Sequence, residues 1–102
     1  MVNDSSMIDE KSIRHRGLRE LALRGRSSQV RQDQVARIKR RLSILQDISS
    51  LDELRSMRRL RLHQLKGKRS GTWAIDVSGP WRMTFSFHNE TVFNLDLEQY
   101  HD

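Results

Sequence analysis

Trp73-Ala74-Ile75-Asp76-Val77, then Ser78-Gly79-Pro80, then Trp81-Arg82-Met83-Thr84-Phe85-Ser86-Phe87-His88 is the stretch whose reading decides the fold. Large apolar side chains recur at every second position, the period of a strand with one buried face. Ser78-Gly79-Pro80 separates the first two runs. His88-Asn89-Glu90 then makes a second turn, beyond which Phe93, Leu95 and Leu97 alternate with Asn94, Asp96 and Glu98. Short turns between strands imply antiparallel neighbours. One face, carrying the tryptophans, phenylalanines and aliphatics, should pack on the rest of the chain; the other should face water.

Upstream the period lengthens. Leu18, Leu21 and Ala22 fall at helical spacing, and Gly25 supplies a stop. Ser27 and Ser28 are positioned to cap a second, longer helix, in which Val35, Ile38, Leu42 and Leu45 share a face while Arg31, Arg37, Arg40 and Arg41 cover the remainder. Ser50-Leu51-Asp52-Glu53 has capping-box spacing and starts one further short turn. Ile13 is read as a short first strand. The expectation is an α+β fold: an N-terminal helical hairpin packed on one face of a small antiparallel β-sheet. Residues 1–12 read as a loose leader and 13–102 as one domain.

The chain has 102 residues, enough for one modest core. Its 19 Lys and Arg against 13 Asp and Glu leave a net charge of +6, which favours a polyanionic partner, nucleic acid before an acidic membrane. There is no cysteine, so disulfides and thiolate metal sites are excluded. The acidic, polar N-terminus does not read as a signal peptide, and no apolar run has the roughly 20 residues that cross a bilayer. A cytoplasmic location is expected.

Between Arg55 and Arg69 lie Arg55, Arg58, Arg59, Arg61, Lys66, Lys68 and Arg69, with no acidic residue. Leading straight into the sheet, this run would line one rim of its polar face and attract phosphates without sequence choice. Of the four histidines, His15 reads as exposed and His88 as a turn residue. No spacing suggests a metal site, and no cofactor is expected. His63 and His101 each end a segment beside the sheet with cationic or phenolic neighbours. Arg82, in the middle strand on the polar face, is either a bidentate phosphate site or a surface arginine paired with Asp76, and the pattern leaves both open. With Lys66 and Tyr100, these residues suit RNA phosphodiester cleavage. That reaction needs a base for the 2′-hydroxyl, cations for the phosphate and an acid for the leaving 5′-oxygen. Histidine titrates in the right range for either proton transfer, and tyrosine stacks on unpaired bases.

The chain resembles the HigB branch of the RelE superfamily, toxins of type II toxin–antitoxin pairs with a microbial RNase-like fold. The resemblance rests on His15-Arg16-Gly17-Leu18, Leu62-His63-Gln64-Leu65-Lys66-Gly67, Trp73-Ala74-Ile75, Trp81-Arg82-Met83-Thr84-Phe85 and the terminal Tyr100-His101, in that order from about Ile13 to the C-terminus. It implies a ribosome-dependent, metal-independent mRNA endoribonuclease that enters the ribosomal A site and leaves a 2′,3′-cyclic phosphate. It further implies inhibition by a HigA-like helix-turn-helix antitoxin, with operator DNA contacted only through that partner, in the bacterial cytoplasm. His63 matches the histidine and Lys66 the lysine of the family's Leu-His-Pro-Leu-Lys-Gly motif. Arg82 matches the arginine of the Trp-Arg strand, and Tyr100 and His101 the end of its closing Asp-Tyr-His. These five are the implied catalytic residues, with Arg55, Arg58, Arg59, Arg61, Lys68 and Arg69 as RNA and ribosome contacts. Gln64 stands in place of the motif's proline and Gln99 in place of its aspartate. Two other readings are a basic RNA- or ribosome-binding module without cleavage, and a co-repressor acting with a helix-turn-helix antitoxin.

Overall fold

Period-two alternation yields the expected strands. In the computed structural model, which describes residues 7–100, Trp73–Ser78 (β2), Trp81–His88 (β3) and Thr91–Gln99 (β4) form consecutive antiparallel strands. A two-residue strand, His63–Gln64 (β1), adds to the free edge of β2, giving the order β1-β2-β3-β4. The helices are Arg16–Arg24 (α1), Val35–Asp47 (α2) and Leu51–Ser56 (α3). This is the α+β arrangement the alternation and helical periods call for.

The two tight turns follow from their residues. Gly79 has φ 55° and is followed by Pro80 with its fixed negative φ, the sign pattern of a type II′ hairpin. Asn89 and Glu90 both have positive φ, at 50° and 64°, as a type I′ turn requires. Both turn types match the right-handed twist of the strands they join.

Leu18, Leu21, Ile38, Leu42 and Leu45 from the helices meet Ile75, Val77, Met83, Phe85, Val92 and Leu95 from the sheet in one core, each at most 4% exposed. Here the strict alternation read for β4 breaks. Ser86 pairs with Phe93 and Thr84 with Asp96, so β4 carries one extra residue between those pairs. Asn94 sits in that step with φ 56°, a bulge built on a residue that tolerates the left-handed region. The bulge flips the phase of the strand. Val92 becomes fully buried, while Phe93 moves to the polar face, where its ring meets His88 at 6.4 Å.

Three other expectations change. Ile13 is extended and fully buried but belongs to no strand. Its neighbours run beside β4: Asp9 N–H donates to Val92 O at 2.9 Å, Arg14 N–H to Leu95 O at 2.8 Å, and Ile8 makes an isolated parallel bridge to Val92. Residues 7–14 therefore cover the edge of the sheet, which would otherwise be open to foreign strands. Ser27 does not cap α2, whose first residue is Val35; its hydroxyl donates to Glu20 at 2.6 Å inside a loop. Arg31 lies in that loop, paired with Asp33. His15 is the N-cap of α1, its Nδ1 accepting from Leu18 N–H at 3.3 Å. The capping box at Ser50 forms as read, with Ser50 Oγ accepting from Glu53 N–H.

Gly17 allows the loop to close on α1. A Cβ there would lie 2.5 Å from Val30 Cγ2 and 2.9 Å from His15 Cε1. Gly17→Ala gains about 0.5–1 kcal/mol of helix preference, but overpacking costs about 1–3 kcal/mol. The clash should win. The variant is expected to unfold at lower urea concentration than the parent, with an unchanged slope.

Candidate active site

Arg82 leaves the middle strand on the polar face, between Asp76 of β2 and Glu98 of β4, its two register partners. Its side chain is only 12% exposed. Glu98 Oε1 lies 3.7 Å from its guanidinium, and Tyr100 lays its ring 4.5 Å from its Cζ, a cation–π distance. Its Nε is buried without a hydrogen-bond acceptor among the described residues. The bland alternative in the sequence paired this arginine with Asp76. The structure gives it Glu98 and leaves Asp76 to other groups.

Glu98 is the carboxylate on which the open face converges. Arg69 donates to both of its oxygens, at 2.8 and 2.6 Å, and the buried Thr84 hydroxyl donates at 2.6 Å. The Arg69 hydrogen bonds, with help from Thr84 and the charge of Arg82, hold its carboxyl down to about 2 against the opposing effect of burial. The same hydrogen bonds push Arg69 above its ordinary value. Arg69, expected as an RNA contact, is thus engaged within the protein.

Tyr100 is tied down on three sides. Its N–H donates to Pro80 O at 2.8 Å, its hydroxyl donates to Asp76 Oδ1, and its ring stacks on His63 at 6.1 Å with planes 13° apart. Burial, followed by the hydrogen bond and charge of Asp76, pushes its hydroxyl above the usual phenol range, against the pull of Arg82 and Arg61. Asp76 also faces Arg61, whose Nε is 3.5 Å from Oδ2, and its main-chain oxygen accepts from Arg41 Nε at 3.1 Å.

His63 lies at the start of β1, and its Nδ1 is 2.7 Å from Arg61 O. A carbonyl only accepts, so Nδ1 carries the proton and neutral His63 has its lone pair on Nε2. Arg61 presents that carbonyl from a left-handed conformation, φ 51°, which costs a non-glycine residue about 1–2 kcal/mol. Arg61, Leu62, His63, Asp76, Gly79 and Tyr100 line an open groove of about 650 Å³.

Of the five residues expected to act together, His63, Arg82 and Tyr100 are brought together, through Tyr100. Lys66 is exposed in the loop after β1 and makes no hydrogen bond or ion pair among the described residues. His101 lies outside the described residues. The basic run divides. Arg61 joins the groove, Arg55 pairs with Asp52 and covers the Trp73 ring at 5.8 Å, and Lys68 lines a polar cleft with Arg14 and Arg69. Arg58 and Arg59 face Arg37, Arg40 and Arg41 of α2 across a second groove of about 640 Å³, floored by Ile44, Met57, Leu60 and Val77. Burial, then the like charges of Arg37 and Arg40, lower Arg41 from its ordinary value. Asp76 and Arg41 were not among the expected site residues. Asp76 was visible as the acidic position of β2, but not as the acceptor for Tyr100.

A cationic groove on a small antiparallel sheet, with a histidine of fixed tautomer and a largely buried arginine meeting one tyrosine, defines a class of basic proteins equipped for phosphodiesters. The family model for the RelE-like toxin HigB of type II toxin–antitoxin systems matches residues 11–101. Endoribonuclease HigB of Proteus vulgaris is 40% identical over 91 residues, covering 89% of this chain and 98% of the relative. The chain belongs to the HigB-like toxin family. Toxins of type II systems act opposite an antitoxin, so an antitoxin is a partner of this chain. Among the described residues no helix is long and apolar enough to cross a membrane.

Because Glu98 titrates lower when folded than the ordinary 4.5, its ionised pairing contributes stability that is complete above about pH 4.5. That contribution is lost as pH falls towards 2. Its size is about 2 kcal/mol, discounted for the half-exposed Arg69. Urea midpoints of the parent and Glu98→Gln should differ most above pH 4.5 and converge towards pH 2. A gap that stays constant over that range would show that Glu98 carries no such coupling.

Proposed function

We propose that the protein is a toxin endoribonuclease that cleaves mRNA on the ribosome without a metal, yielding a 2′,3′-cyclic phosphate. The observation that carries this reading is the meeting of His63 and Arg82 on the ring of Tyr100, which with His63 lines an open groove. The endoribonuclease activity of the Proteus vulgaris relative supports it, since that likeness spans nearly both chains.

In the reaction the 2′-hydroxyl loses its proton to a base and the 2′-oxygen attacks phosphorus. The bond from phosphorus to the 5′-oxygen breaks, and an acid protonates that oxygen. His63, with Nε2 unprotonated when neutral, is suited to the base role in the tautomer that the Arg61 carbonyl selects, and protonated it is equally suited to the acid role. His101, next to Tyr100 in sequence, takes the complementary transfer. Arg82 stabilises the phosphate as charge builds, its guanidinium set 4.5 Å from the Tyr100 ring. Lys66, on a loop with no competing partner among the described residues, swings in as a second cation. Tyr100, kept protonated, offers a neutral ring for an unpaired base.

The arginine groove of Arg37, Arg40, Arg41, Arg58 and Arg59 suits a polyanionic surface outside the cleavage site, ribosomal RNA near the A site. Arg55, Lys68 and the Arg61 rim extend that attraction. The antitoxin partner is taken to be a HigA-like helix-turn-helix protein, with operator DNA reached through it, and the location to be the bacterial cytoplasm.

Induction of the chain alone in bacteria should arrest growth and create new mRNA 5′ ends within codons being translated. His63→Ala and Arg82→Ala should each lower cleavage by about 10²–10⁴-fold while the protein still co-sediments with ribosomes. Arg82→Lys should restore little, because a point charge does not reproduce the planar fork. Ribosome binding by the parent without new 5′ ends would select the non-cleaving RNA-binding alternative.

A further inference from the structure

We propose that Asp76 is the positioning residue of this site: by holding the Tyr100 hydroxyl, it fixes the one ring against which His63 and Arg82 are both set. The inference rests on the nuclease reading above and adds to it a carboxylate that is not among the expected catalytic residues.

Tyr100 follows the last residue of β4, where a chain should begin to fray. One main-chain bond to Pro80 anchors its backbone, and among the described residues only Asp76 hydrogen-bonds its side chain. Without that bond the ring would be free to rotate about its side-chain torsions, and the His63 stack and the Arg82 cation–π contact would lose their shared partner. Asp76 can do this because it is itself held. It lies in β2 opposite Arg82, its main-chain oxygen takes Arg41, and its second carboxylate oxygen faces Arg61. Arg61 in turn directs its carbonyl at His63. A single carboxylate thus links both halves of the groove, one through the Tyr100 ring and one through the backbone that orients the imidazole.

The charge of Asp76 also offsets a crowded field. Arg61 and Arg82 bear on Tyr100, Arg41 on the strand behind it, and Glu98 is committed to Arg69 and Thr84. Among the described residues Asp76 is the carboxylate left to face these cations from the groove side. Its ordering effect reaches the substrate only through Tyr100 and His63, so its loss should appear in kcat more than in KM.

Tyr100 is the only tyrosine in the chain, so its ultraviolet titration reads one group. In Asp76→Asn, which preserves shape and an acceptor oxygen but removes charge, the tyrosinate signal should appear at lower pH than in the parent. Asp76→Ala should lower kcat for ribosome-dependent mRNA cleavage by about 10–100-fold, the scale of a reactive group set loose by about an ångström. KM should change little, and Asp76→Glu should recover part of the loss. Far-ultraviolet circular dichroism checks folding, and Asp76→Asn serves if the alanine variant does not fold. An unchanged Tyr100 titration in Asp76→Asn would overturn the contact. A shifted titration with cleavage within twofold of the parent would overturn the positioning role. The titration needs no RNA, so a failure of the nuclease reading itself would appear separately, as absent cleavage by the parent.

Discussion

A guanidinium in the middle strand of a small sheet governs what surrounds it. Arg82 is mostly withdrawn from water, and a charge so placed is tolerated only when neighbours replace the lost solvation. Glu98 supplies the opposite charge and Tyr100 the ring face. Each of those must then be held. Glu98 is fixed by Arg69 and by the buried Thr84 hydroxyl, Tyr100 by Asp76 and Pro80. The polar face is therefore not an idle solvated surface but a network built from three adjacent strands and the connection preceding them. Its incomplete member is Arg82 Nε, a buried donor without an acceptor among the described residues, an arrangement that costs about 1–3 kcal/mol.

Such a network explains why the excess positive charge does not act as one patch. Arg69 and Arg55 have carboxylate partners, at Glu98 and Asp52, and paired cations attract phosphate less than free ones. Arg37, Arg40, Arg58 and Arg59 have no ion-pair partner among the described residues and gather round Arg41, whose lowered value reflects burial and mutual repulsion. The strongest demand for a polyanion is thus at the arginine groove. Arg58, Arg59 and Leu60 line it while Arg61, Leu62 and His63 line the Tyr100 groove, so one connection borders both.

The strands and helices were legible because their signals are local. Alternation at 73–88, Gly25 as a stop and the Ser50 box each depend on residues a few positions apart, and each appears in the structure. The errors have one source. Asn94 carries no mark that distinguishes a bulge from an ordinary polar strand position, yet it reverses the faces of Val92 and Phe93. Ser27 looked like a cap because its competing partner, Glu20, lies on the preceding helix. The two-residue β1 is too short to show a period at all, and exists because β2 offers an edge to pair with.

The site was legible by chemistry and only partly by geometry. His63, Arg82 and Tyr100 are residue types that stand out in any sequence with a nucleic-acid charge balance, and no helical or strand period demands them. Their meeting depends on contacts between positions far apart: 63 with 100, 82 with 100, 76 with 100 and 76 with 61. Tyr100 takes part in three of the four. Such pairings leave no mark in spacing, so Asp76 read as one more polar residue of an alternating strand. Its place opposite Arg82 invited the simple ion pair. The fold denies that pair by giving the arginine to Glu98, which leaves the Asp76 carboxylate available to the tyrosine at the end of the sheet. Specificity in this site thus comes from dividing two carboxylates between two jobs, one to neutralise the buried cation and one to fix the ring beside it.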